Sequence, residues 1–130
     1  MGASYIVTDL SVRADFEFIK LDSELSRLGL VGLMRLYEGI WTANYSSGEC
    51  VSSPVDAILH YVEIVENLGS GAQTEWERCT SRRFDMGFES FDDRFHSDWD
   101  IPTDVLQRVI SVSGSLAITI YRGEHAKKTE

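Results

Sequence analysis

From residue 5 onward the chain alternates between two series. Ile6, Thr8, Leu10, Val12, Ala14 and Phe16 form one, and Tyr5, Val7, Asp9, Ser11, Arg13 and Asp15 form the other. Such a period of two predicts a long, half-buried strand. The second series is mostly polar, which favours an antiparallel sheet with one wet side over a parallel sheet covered on both. A short helix is expected over 22–29, from an Asp22 or Ser23 cap, Glu24 in the first turn and a closing Gly29. Residues 30–39 carry enough apolar side chains to prolong that helix, but Gly29 and Gly32 favour a break and an extended segment ending at Glu38-Gly39. Trp41, Ala43 and Tyr45 then mark one face of a strand over 40–46.

The clearest element is a helix over 54–68. Ser53 is its cap, Pro54 stands at its first position and Asp56 lies in its first turn. Val55, Ile58, Leu59, Val62 and Val65 make its apolar stripe, while His60, Glu63, Ala57 and Ile64 fall on the other side. Ser70-Gly71 reads as a hinge, and strands are expected over 74–80 and 82–90. In the second of these, Phe84, Met86 and Phe88 face one way and Arg83, Asp85 and Glu89 the other. A third extended piece spans 95–101. A last helix from Thr103-Asp104 turns Val105, Leu106, Val109 and Val112 inward and closes at Gly114. A terminal strand follows, with Leu116, Ile118 and Ile120 alternating with Ala117, Thr119 and Tyr121. The order predicts an α+β fold: an antiparallel or mixed β-sheet with about three helices packed on one side. A single domain is expected over 1–123, followed by a polar tail over 124–130.

Composition sharpens this picture. The 130 residues include 12 Lys and Arg against 21 Asp and Glu, a formal charge of −9. That field repels phosphate backbones and anionic membranes and attracts basic partners, so neither direct nucleic-acid binding nor membrane binding is expected. The small basic knot of Arg78, Arg82 and Arg83 is outnumbered by neighbouring acids and reads as local ion pairing. No apolar run approaches the roughly 18 residues of a spanning helix. The N-terminus lacks a basic, then apolar, signal-peptide pattern, and Ile6 stands where a myristoylation motif needs Ser or Thr. Cys50 and Cys79 form no C-x-x-C pair and read as reduced thiols, which predicts a cytoplasmic, reducing setting.

Catalytic chemistry finds no foothold. His60, His96 and His125 are scattered, with no metal-ligand spacing. Asp98-Trp99-Asp100 lacks the glycine and the distal Glu of a calcium loop. No Gly-x-Ser-x-Gly elbow and no phosphate-binding glycine loop occurs, and a Cys79–His96 pair rests on no sequence signal. Neither an enzyme nor a cofactor is expected.

One stretch stands out. From Asp85 to Asp104 there are seven acids, namely Asp85, Glu89, Asp92, Asp93, Asp98, Asp100 and Asp104, against Arg94 alone, with Phe91 and Trp99 among them. Acids steer a basic protein and a large aromatic anchors it. Asp85, Glu89, Asp92, Asp93, Asp98, Trp99 and Asp100 are therefore the candidate partner-binding residues. The same pattern also suits a solvated face with gatekeeping charges on an edge strand.

Three segments carry a resemblance: Arg83-Phe84-Asp85-Met86-Gly87-Phe88-Glu89-Ser90, Ile101-Pro102-Thr103-Asp104-Val105-Leu106-Gln107-Arg108-Val109, and Gly114-Ser115-Leu116-Ala117-Ile118-Thr119-Ile120-Tyr121. With Leu28-Gly29-Leu30, the turn from Arg35 to Gly39, and Trp41, they resemble a bacterial domain family of unassigned function. Members of that family occur among immunity proteins of polymorphic-toxin and contact-dependent growth inhibition systems. The resemblance covers about Tyr5 to Tyr121 and rests on apolar positions and turn glycines. It implies a cognate toxin as partner. With the acidity of 85–104, the expected function is an immunity protein that covers the active cleft of a basic, nuclease-type toxin. The alternatives are a generic protein-binding or scaffold domain for another partner and, behind it, a small enzyme of unrecognised type.

Overall fold

The computed structural model describes residues 3–47, 53–90 and 99–122. Among them are six strands and four helices: β1 (Ala3–Ala14), α1 (Ile19–Arg27), β2 (Leu30–Val31), β3 (Arg35–Tyr37), β4 (Ile40–Ser47), α2 (Pro54–Glu66), α3 (Ser70–Arg78), β5 (Ser81–Ser90), α4 (Thr103–Ser111) and β6 (Ser115–Arg122). The strands form one sheet in the order β2-β4-β1-β5-β6, with β3 also on β4. All pairings are antiparallel except β5 with β6, which run parallel across the α4 connection. The α+β fold with a mixed sheet is as expected from the sequence, with one helix more.

β1 lies in the centre, and its Thr8, Leu10, Val12 and Ala14 are buried under the helices beside Ala43 and Tyr45 of β4 and Phe84, Met86 and Phe88 of β5. One β-bulge corrects the alternation. The register slips between Tyr5 and Val7, so Ile6 is the extra residue. Ile6 is exposed instead of buried, and Tyr5 joins the core face opposite Phe88. There Tyr5 shares a 2.8 Å hydrogen bond with the Thr8 hydroxyl.

Residues 30–39 are extended, as expected. Gly32 divides β2 from β3 because a Cβ there would sit 2.7 Å from the Asn44 carbonyl and against the Tyr45 ring. Glu38 and Gly39, both at positive φ, form the two-residue turn into β4.

The helices depart from expectation in instructive ways. α1 starts at Ile19, three residues early, with no side-chain cap of its own. Its orphan Leu21 N–H donates instead to Glu75 Oε1 of α3 at 2.8 Å. The strand expected over 74–80 is wrong: Ser70–Arg78 is helical, with Ala72 and Trp76 buried four residues apart. The Trp76 indole N–H donates to the Val112 carbonyl at 2.8 Å, which ties α3 to the end of α4. α2 begins as expected, the Asp56 N–H donating to Ser53 Oγ at 3.1 Å. Its buried face is rotated, however. Ala57, Ile58, Tyr61, Val62, Ile64 and Val65 are buried, whereas Val55 and Leu59 only pack at the margin. Tyr61 explains the rotation. Its hydroxyl donates to the Thr8 carbonyl at 2.6 Å and accepts from the Ser47 N–H at 3.1 Å, so it turns toward the sheet. In α4, Val105, Val109 and Val112 are buried as expected, but Leu106 is more than a third exposed.

The extended piece expected over 95–101 falls mostly outside the described residues, and residues 99–101 belong to no strand. Among the described residues no helix is long and apolar enough to cross a membrane.

Candidate functional site

The helices cover one face of the sheet, and among the described residues no element covers the other, the open face. Strand register lays its side chains out in rows. Arg35, Thr42 and Arg13 stand side by side on β3, β4 and β1. Asn44, Ser11, Arg83 and Ser115 form the next row. Asp9, Asp85 and Ala117 come third, then Val7, Gly87 and Thr119, then Glu89 with Tyr121. The face is therefore polarised, with arginines at one end and acids toward the other.

The acidic end is built on β1 and β5. Asp9 and Asp85 are directly opposed, a placement that ordinarily destabilises an antiparallel pair. Thr119 of β6 relieves one of them, its hydroxyl lying 2.8 and 3.0 Å from the two Asp85 oxygens. Asp9 has no such donor among the described residues. Burial first, and then the Asp85 charge, raise its carboxyl above the ordinary 3.8. Gly87 keeps the neighbouring row low: a Cβ there would lie 3.2 Å from the Tyr121 ring and 3.3 Å from the Val7 carbonyl.

Of the residues singled out in the sequence, Asp85 and Glu89 lie on this open face, both half-buried, opposite Phe84, Met86 and Phe88 as expected. Trp99 is 43% exposed. Its ring packs against Tyr5 and Phe88, with centroids 5.8 and 6.1 Å away, and so caps the Glu89 end of the sheet. Asp100 is exposed. Asp92, Asp93 and Asp98 lie outside the described residues. The structure thus puts Asp85 and Glu89 on the open face, where Asp9 joins them, and Trp99 at the same end but on the helix-covered side, against Tyr5. Alternation had already put Asp9 on the polar side, but its place opposite Asp85 needs the β1–β5 pairing, a contact some seventy-six positions apart in the chain.

Among the described residues the basic knot makes no ion pair. Arg82 donates to the Ser113, Trp76 and Cys79 carbonyls, which fastens the ends of α3 and α4 together. Arg78 stacks over Phe16, 4.7 Å from its centroid. Arg83 points out of the open face. Cys79 is buried, and its thiol donates to the Glu75 carbonyl at 3.2 Å. Burial pushes its pKa up to about 11, which suits an inert thiol better than a nucleophile. Among the described residues no group of His, Cys, Asp and Glu has the makings of a metal site.

No protein-family model matches the chain, and neither curated proteins nor solved structures yield a match.

Proposed function

We propose that this protein is an immunity protein, which binds a basic toxin domain through the acidic end of its open sheet face and blocks the toxin by occlusion. The observation that carries this reading is the opposed Asp9–Asp85 pair. Two carboxylates are held together on a rigid sheet, one of them without a donor and raised in pKa. The fold gains nothing from that arrangement, whereas a lysine or arginine presented by a partner would satisfy both acids at once. Folds keep locally unfavourable placements of this kind mainly at functional sites. Glu89 extends the acidic row, and Trp99, on the helix-covered side of the same end of the sheet, is 43% exposed at its edge. The resemblance to immunity proteins and the net charge of −9 point the same way.

A second reading, a binding module for an apolar partner, draws on Ile110 of α4 and on Ile118 and Ile120 of β6, each more than half exposed.

The test is co-expression with the protein encoded beside this chain's gene. That protein alone should arrest growth, and the chain should restore it. The double reversal Asp9→Lys, Asp85→Lys should abolish protection while leaving the far-ultraviolet circular dichroism unchanged. Full protection by the reversed chain moves the interface off this face, and binding confined to variants with intact Ile118 and Ile120 favours the apolar reading.

A further inference from the structure

The other end of the open face has a chemistry that toxin binding does not use. Arg13, Arg35 and Arg83 are exposed, and among the described residues none of their guanidiniums makes a hydrogen bond, ion pair or ring contact. Three free guanidiniums are unexpected in a chain of net charge −9, where carboxylates are abundant. Register brings them together. Arg35 and Arg13 flank Thr42 on either side, about 10 Å apart at two strand spacings. Arg83 stands on the next strand, diagonal to Arg13, about 7–8 Å away.

Between them the surface is hollow. One depression of about 280 Å³ is lined by Ser11, Arg13, Thr42, Asn44, Arg83 and Asp85. A second, of about 300 Å³, is lined by Leu33, Arg35, Thr42 and Asn44. They share Thr42 and Asn44 and so form one trough across β3, β4, β1 and β5. Its floor is rich in donors. The Ser11 hydroxyl donates to Asn44 Oδ1, which fixes the amide and leaves its NH₂ available to a ligand. The Thr42 hydroxyl lies beside it.

We infer that this trough binds a phosphorylated small molecule, with Arg13, Arg35 and Arg83 holding its phosphate groups and Asn44 and Thr42 donating to them. Guanidiniums match phosphate oxygens in bidentate pairs, and three of them suit two or more negative charges better than a single carboxylate. Asp85 closes the far rim, where it turns away further negative charge and accepts from a hydroxyl on the ligand's body. The overall negative charge repels anions at a distance, so retention here depends on these local contacts. The site shares only Asp85 with the proposed toxin-binding end; its three arginines, Asn44 and Thr42 lie outside that end, so their variants test it separately.

Isothermal titration with pyrophosphate at constant ionic strength tests the inference, with citrate as the carboxylate counterpart. Pyrophosphate should bind saturably, and at least tenfold more tightly than citrate. Arg13→Gln, Arg35→Gln and Arg83→Gln should each weaken it about tenfold or more. Arg27→Gln, at a surface arginine paired with Glu24, should leave it unchanged. All these side chains are exposed, and folding is checked by thermal melts. Should one variant unfold, the other two carry the test. Absence of saturable binding at millimolar pyrophosphate, equal binding of citrate, or equal loss in Arg27→Gln would each overturn the assignment.

Discussion

Asp9 shows how a single residue links folding to the proposed binding face. Its carboxyl is raised in the folded chain, so the folded state holds that proton more tightly than the unfolded state does. The stabilisation from this proton is complete below the ordinary 3.8 and is lost as pH rises through the raised value. At neutral pH the pair therefore weighs against the fold. Asp9→Asn should stabilise the protein at pH 7 by about 0.2–1 kcal/mol, the usual range for a cross-strand pair. The gain over the parent should shrink as pH falls into the carboxylate range, as denaturant melts across a pH series would reveal. A variant less stable than the parent at pH 7 would mean that the Asp9 charge is compensated. Tyr61 and Cys79 work at the opposite end of the scale. Burial pushes them up to about 12 and about 11, so the protons they keep favour the fold below their ordinary values of 10.0 and 9.0. That contribution is lost as pH rises through the shifted values.

Among the elements, α2 makes the sharpest energetic statement. Ile58 is fully buried, whereas Leu59 is only partly covered. Ile58→Ala should cost about 2–5 kcal/mol and Leu59→Ala distinctly less, since a half-buried site leaves less cavity behind. Equilibrium unfolding in urea separates them, and equal losses would return the helix to the orientation its sequence suggests. That suggestion failed for a physical reason. Periodicity ranks aliphatic residues above Tyr61, but the Tyr61 hydroxyl finds two backbone partners that only the folded sheet and the 47 end of β4 provide. The same distinction holds elsewhere. α2's start, the break at Gly32, the strand β5 and the valines of α4 were legible because local chemistry decides them. α3 was not, because Gly71, Thr74 and Trp76 are indifferent helix formers and the helix is held from outside, through Trp76 to Val112 and through Glu75 to α1. In the candidate site, Asp85, Glu89 and Trp99 were legible as an acidic, aromatic stretch. Asp9, Tyr5 and the arginine trough were not, because they arise from strand order and from one bulge.

For the molecule as a whole, the open face carries opposite charges at its two ends within a strongly negative field. Under the proposed function, a basic partner would be drawn in from a distance and then oriented, since the arginine end would repel it. The association rate should fall by tenfold or more as the screening length shrinks from about 10 Å at 0.1 M salt to 3 Å at 1 M. Stopped-flow mixing with the partner measures this, and a rate that is flat across salt would remove steering from the account. The central position of β1 has a different consequence, one that concerns time. β1 is flanked by β4 and β5, and β5 ends only at Ser90, far along the chain from β1. Until β5 has been synthesised, one side of β1 has no native neighbour, and Leu10, Val12 and Ala14 wait for the cover that α2 and the later helices bring. Nascent chains should therefore depend on holdase chaperones between the synthesis of β1 and that of β5, and chains terminated in that interval should aggregate instead of folding in part.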